Sequence, residues 1–268
     1  MSIDKTAIRN AATVIVLRDR HTVPQVLMGQ RGAGAVFMPN KFVFPGGALD
    51  QADAQVPLAR PLPALCRQRL TEDTEADLAN ALAVAAIREL WEETGLILGT
   101  PGQWQGTPPD DWQSFAATGH LPAADALQFV FRAITPPGRP RRFDARFFLV
   151  DAEAIASDLD DFGAACDELS HLQWIPLPEV RKFDLPFITE VVLAEIAARA
   201  TSDTPPAACH FSKTTKRPAY FCAWAARARL AGVRTAIRPG RARPARSAPK
   251  RCHTAARYLR IRAGWGAL

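Results

Sequence analysis

Arg88-Glu89-Leu90-Trp91-Glu92-Glu93-Thr94-Gly95-Leu96 is the stretch that decides how this chain is read. Glu89, Glu92 and Glu93 stand at i, i+3 and i+4, the spacing that puts side chains on one helical face. Three carboxylates so close repel one another. Arg88 relieves part of this through its i+4 relation to Glu92, and a hard divalent cation with oxygen ligands relieves the rest. Mg²⁺ or Mn²⁺ suits carboxylate ligands better than zinc does. The competing reading is a solvated acidic helix end, capped by Gly95. For two adjacent glutamates that reading prevails. The full pattern Arg-Glu-apolar-x-Glu-Glu-x-Gly-apolar arises by chance in a chain this long with a frequency of roughly 10⁻⁵, so it favours a metal-binding site.

Outward from this segment, Leu78 to Thr94 is rich in Ala and Leu and lacks Pro and Gly. It predicts a helix that begins near Thr74, where Thr74-Glu75-Ala76-Asp77 has the form of a capping box. Leu82, Ala86 and Leu90 fall on one stripe, with Ala83, Ile87 and Trp91 beside it. Upstream, Ala11 to Leu17 and Gln25 to Arg31 predict a strand pair, and Phe42-Val43-Phe44 a short strand that ends at Pro45-Gly46-Gly47. Residues 48–70 carry several prolines and predict an irregular insertion. Residues 99–127 form another, with a short helix at Asp110 to Ala117. Gln128 to Ile134 and Arg146 to Val150 predict a hairpin joined by a basic, proline-rich link, Leu172 to Pro176 a last strand, and Leu185 to Arg199 a closing helix.

The chain resembles the Nudix hydrolases, whose box reads G-x5-E-x7-R-E-U-x-E-E-x-G-U with U apolar. Arg88 to Leu96 matches its second half without a mismatch. Counted back from Arg88, the glycine of an uninterrupted box would fall at Thr74 and its first glutamate at Asn80. Phe44-Pro45-Gly46-Gly47 looks instead like the entry to a split box, with Arg88 lying 41 residues after Gly47. The branch with such a split includes peroxisomal coenzyme A diphosphatases and bacterial relatives. Phe37 to Gly47 and Arg141-Arg142-Phe143-Asp144-Ala145-Arg146-Phe147-Phe148 are also similar to it.

The resemblance implies an α/β fold, a Nudix-type α/β/α sandwich with a mixed sheet, over about residues 9–200. It implies Mg²⁺- or Mn²⁺-dependent cleavage of a diphosphate in a nucleoside diphosphate linked to another group. Coenzyme A or acyl-CoA is the first expectation. ADP-ribose, NADH, a nucleotide sugar and a non-catalytic nucleotide sensor are the alternatives. Carried over by position, Glu89, Glu92 and Glu93 would be metal ligands, with a backbone carbonyl at Gly46 or Gly47. Glu89 would also lie near the water to be activated, and Arg88 would orient the glutamates. Glu168, six residues before Trp174, is the candidate further acid, as ligand or general base. Arg31, Arg141, Arg142 and Arg146 are candidate phosphate contacts, because guanidinium binds phosphate oxygens as a fork. Asp144 is placed to hold one of them. Trp104, Trp112 and Phe115 could stack on a base, with core packing the stronger reading.

Composition bounds the rest. Hydrophobic residues make up 48% and charged residues 22% of the 268, as in ordinary globular domains. No apolar run approaches the ~18–20 residues that span a bilayer, and Met1 to Lys5 lack a signal core. Five cysteines without C-x-x-C spacing suit a cytoplasmic protein with free thiols. The net charge of +6 is unevenly spread: residues 201–268 hold 12 Arg and 3 Lys against Asp203 alone. We therefore divide the chain into a hydrolase domain, 1–200, and a basic low-complexity tail, 201–268. The tail shows no helix-turn-helix pattern, which argues against nucleic acid. Two readings of it remain: a disordered extension, and an out-of-frame translation of GC-rich DNA, which yields Arg, Ala, Pro and Gly. The expected partner is a small nucleotide-derived substrate, not a membrane; a homodimer is also compatible.

Overall fold

β1 (Ile8–Arg18) is the middle of the sheet because its residues are apolar on both sides. Ala12, Val14 and Val16 face one core, and Ile15 and Leu17 face another. The structure is a computed structural model and describes residues 7–35, 37–72, 76–139, 141–200, 210–213 and 222–223. β1 pairs in parallel with β8 (Arg142–Asp151) and antiparallel with β2 (Gln25–Arg31). β7 (Gln128–Ile134) lies antiparallel against β8. β3 (Phe42–Val43) and β9 (Leu169–Pro176) pair with β2, and β4 (Gly46–Ala48) pairs with the start of β1.

Two helical layers cover this mixed sheet. On one face lie α1 (Ala64–Thr71), α2 (Ala76–Thr94) and α3 (Gln113–Ala117), with the small hairpin β5 (Gly99–Pro101) and β6 (His120–Pro122). On the other lies α4 (Phe187–Arg199). This is the α/β/α sandwich expected from the sequence.

Departures from the expectations have simple causes. Residues 48–70 are not irregular throughout: Gln51–Gln55 form a 3-10 turn and Ala64–Thr71 form α1. The single apolar stripe of α2 underestimates its burial, since Ala81 to Trp91 are buried without interruption. The insertions supply the difference by covering the helix sides that the sheet does not reach, and the small Ala side chains let them approach. Phe115 is buried against Trp91 and Trp112 against Phe115, so core packing takes both rings. The capping box at Thr74 lies outside the described residues. β10 (His210–Lys213) pairs in parallel with β7, and β11 (Cys222–Ala223) pairs with β10. The sheet thus runs past residue 200, where the sequence placed the domain end. The remainder of 201–268 lies outside the described residues. No helix among the described residues is long and apolar enough to cross a membrane.

Candidate active site

The last two turns of α2 lie over β4, and glycine is what lets them. A Cβ on Gly47 would collide with the Glu89 carboxylate, and one on Gly46 would sit 2.5 Å from the Ala12 carbonyl oxygen. The Gly46 amide, freed of a side chain, donates to Glu93 Oε2 at 2.7 Å. Gly47→Ala must therefore push the Glu89 carboxylate aside. We expect kcat and metal affinity to fall roughly 10- to 100-fold, the range for disturbing groups that orient metal ligands. Titration with Mg²⁺ and Mn²⁺ alongside steady-state kinetics checks this; unchanged metal affinity would show that Glu89 does not need that space.

Arg88 is the hub of the cluster. Its Nε and Nη2 donate to Asp53 Oδ1 and Oδ2 at 2.9 and 3.1 Å. Nη2 also donates to the Ala48 carbonyl at 3.0 Å, and Nη1 donates to Glu89 Oε1 at 3.0 Å and Glu92 Oε2 at 2.9 Å. Burial works against its charge, but Asp53, Glu89 and Glu92 more than offset that and hold the guanidinium cationic. Nη1 of Arg88 thus bridges Glu89 and Glu92.

Asp53 is the residue the sequence reading missed. It is 1% exposed and follows Gly47 with five residues between. That is the G-x5-acid half of the box, with Asp in place of Glu. The first acid therefore lies before the insertion rather than at Asn80, which is exposed on α2. Counting forward from Gly47 instead of back from Arg88 would have found it.

The carboxylates are strained electrostatically. Burial pushes Glu89 up to about 7 against the pull of Arg88. Burial and then the neighbouring Glu89 push Glu93 well above its ordinary value, and burial raises Glu92 as well. Glu93 Oε1 is buried with no hydrogen-bond partner. An orphaned carboxylate oxygen beside two acids is a donor set that fits a hard cation. Among the described residues no three such groups converge into a ready-made cage. Arg88 holds Glu89 and Glu92 and the Gly46 amide holds Glu93, so a cation has to turn one or more of them.

Glu168 lies just before β9, on a loop tied to α2 by the Cys166 amide, which donates to the Glu92 carbonyl at 2.7 Å. It is close enough to raise both Glu89 and Glu93 by repulsion. Arg31, at the end of β2, donates from Nη2 to Glu168 Oε1 at 2.7 Å. The structure thus brings Arg31 and Glu168 to the cluster. Arg142 and Arg146 are on β8. Arg142 Nε donates to the Thr135 carbonyl at 3.1 Å. Arg146 is 1% exposed, and its Nη1 donates to Asn10 Oδ1 at 2.6 Å and the Asp144 carbonyl at 2.8 Å. Asp144 holds Arg132 from both oxygens, at 2.8 and 2.7 Å, and lies 3.3 Å from Arg146. Sequence reasoning did not single out Arg132.

The raised acids set a pH dependence. A group whose pKa is higher folded than unfolded favours the fold below its unfolded value and loses that contribution as pH rises through the folded one. For Glu89 this window runs from 4.5 to about 7. The metal-free protein should lose thermal stability over that range. Divalent cations bind the ionised acids and release protons, so the rise in Tm on adding Mg²⁺ should be larger at pH 8 than at pH 5.5. A Mg²⁺ effect that shrinks with rising pH would contradict this.

No family model matches the chain. It is 32% identical over 179 residues to nudix hydrolase 7 of Caenorhabditis elegans, covering 62% of this chain and 51% of that protein. The chain thus spans about half the length of that curated relative. It is 29% identical to a Nudix hydrolase of Alicyclobacillus acidocaldarius whose crystal structure superposes with a TM-score of 0.55, covering 74% of this chain and 94% of that one. In its mixed sheet and in these two likenesses the chain is similar to Nudix hydrolases.

Proposed function

We propose that this chain hydrolyses a diphosphate bond in a nucleoside diphosphate linked to a second group, and that coenzyme A and its acyl esters are the substrate class. The observation that carries the reading is the pair Glu89 and Glu93, buried against the Gly46-Gly47 backbone, with half-buried Glu92 on the same helix. Glu89, Glu92, Glu93 and a backbone carbonyl at Gly46 or Gly47 would hold Mg²⁺ or Mn²⁺. When bound, the cation offsets charge on phosphate oxygens and makes water acidic enough to supply hydroxide. Arg88 orients Glu89 and Glu92 through the contacts already described. Glu168 acts as further ligand or general base, and Arg31 neutralises it or a substrate phosphate. Support for coenzyme A comes from the split box, which resembles that of the coenzyme A diphosphatases, with the insertion entering after Asp53.

A panel of coenzyme A, acyl-CoA, ADP-ribose, NADH and nucleotide sugars, with Mg²⁺ and Mn²⁺, tests this directly. Metal-dependent release of phosphopantetheine and an adenosine bisphosphate is the expected result. Turnover confined to the other diphosphates would overturn the substrate class. Tight nucleotide binding without turnover of any of them would favour a sensor.

A further inference from the structure

Arg88 and Arg31 flank the acidic cluster, and they are held differently. Arg88 is 4% exposed and engages Asp53 with both prongs of its Nε–Nη2 edge. Arg31 uses one prong of the same edge. Its Nη2 donates to Glu168 Oε1 at 2.7 Å, while its Nε is buried and has no hydrogen-bond partner among the described residues. A buried donor left unpaired carries a desolvation cost, and a guanidinium gains most from forked pairing. Glu168 in turn has a side chain 52% exposed, and ion pairs that water reaches contribute little. The pair with Glu168 is therefore a weak resting place for Arg31, whereas Arg88 is locked.

The backbone is anchored on both sides of this pair. Arg31 stands opposite Leu169 in the β2–β9 register, its amide donates to the Lys41 carbonyl, and its carbonyl accepts from the Asn40 amide. The loop before Glu168 is tied to α2 by the Cys166 amide, and it passes so close to the helix end that a Cβ on Gly95 would come within 3.1 Å of Ala164. Rotation of the two side chains is thus the motion left to them. Other partners are near. Arg31 favours the ionised form of Glu93 and Glu168 opposes it, so both act on the acid whose Oε1 has no partner.

We propose that the Arg31–Glu168 pair is the metal-free state of a partner exchange, in which Arg31 stands at Glu168 in place of the divalent cation. When the cation is bound, Glu168 turns to it and Arg31 turns to the diphosphate of the substrate. The inference rests on the metal-dependent diphosphatase reading above and sets the order in which its residues take up their partners. Arg31 is then a positioning residue with opposed effects: it competes with the cation for Glu168 before substrate arrives and serves the substrate afterwards. Arg88, held by Asp53 on both prongs, takes no part in the exchange.

Calorimetric titration of the full chain with Mn²⁺, without substrate, tests this. Arg31→Gln should bind Mn²⁺ roughly three- to fivefold tighter than wild type, the size of one ion pair that water reaches. Glu168→Gln should bind it more weakly, and adding Arg31→Gln to Glu168→Gln should recover little or none of the loss. A residue with only a structural role would not tighten metal binding when removed. Unchanged or weaker Mn²⁺ binding in Arg31→Gln overturns the exchange. So does a gain of the same size in the Glu168→Gln background, because Arg31 would then act through its charge alone and not through Glu168. A crystal structure of the unmutated protein with Mn²⁺ covers the case in which a variant does not fold. Glu168 should contact the cation and lie beyond hydrogen-bond distance of Arg31, and an intact pair beside bound Mn²⁺ overturns the proposal. Failure of wild type and every variant to bind Mn²⁺ would instead sink the metal reading itself, and the exchange with it.

Discussion

Glu93→Gln should lower kcat by about 10²–10³-fold, the scale on which a single electrostatic group at a reacting centre acts, while leaving the metal-free fold at least as stable as before. Glu93 is 1% exposed, and among the described residues one of its oxygens has no partner and the other accepts from the Gly46 amide. A carboxylate in that position is costly when no cation balances it, which is why its pKa lies well above the ordinary value. Glutamine keeps the shape and the acceptor for the Gly46 amide and removes the charge. A residue kept for stability would show the opposite pattern, with activity lost only as the protein unfolds. Steady-state kinetics with Mg²⁺ and thermal unfolding in chelator at pH 8 separate the two. Turnover within threefold of wild type would remove Glu93 from the site. A large drop in Tm would mean that the buried charge is already compensated.

Asp53→Ala should be the most damaging single change to the fold, at about 3–5 kcal/mol, the cost of breaking a buried ion pair from one side. Arg88 is 4% exposed and Asp53 1% exposed, so neither can recover its partner's contribution from water. Loss of Asp53 frees the guanidinium from its forked pairing and leaves it with Glu89, Glu92, the Ala48 carbonyl and the more distant Asp50. For a domain of this size the change corresponds to a fall in Tm of roughly 6–20 °C. Activity should fall as well, because Arg88 sets where Glu89 and Glu92 point. Asp53→Asn retains an acceptor and should cost less. If Asp53→Ala melted within a degree or two of wild type, the pairing would not exist in solution.

Most of the candidate site's local geometry was legible because its signals are local. The i, i+3, i+4 spacing of Glu89, Glu92 and Glu93, and the glycine stop at Gly95, both follow from helix geometry. Gly95 does take a positive φ of 74°, and its amide donates to the Trp91 carbonyl at 2.7 Å. The strands at Gln25–Arg31 and Gln128–Ile134 were legible for the same reason, since alternation and β-branching act over a few residues. Asp53 was visible as spacing from Gly47 but not as a partner of Arg88. Nothing over the 34 intervening residues says that the 3-10 turn at Gln51–Gln55 folds back on the helix.

Distance along the chain also separates what residues 88–96 determine unaided from what folding decides. The segment specifies a helix, one acidic face and a chemistry suited to a divalent cation, because charge and helical periodicity are properties of neighbours. Only the folded sheet decides that Gly47 makes room for Glu89, that Asp53 holds Arg88, and that Arg31 reaches Glu168. It also sets Arg146 opposite Arg132, where the sequence offered Arg146 as a candidate phosphate contact along with Arg31, Arg141 and Arg142. Register and burial do this, and both depend on pairings such as that of β1 with β8, more than a hundred residues apart, which no local pattern encodes.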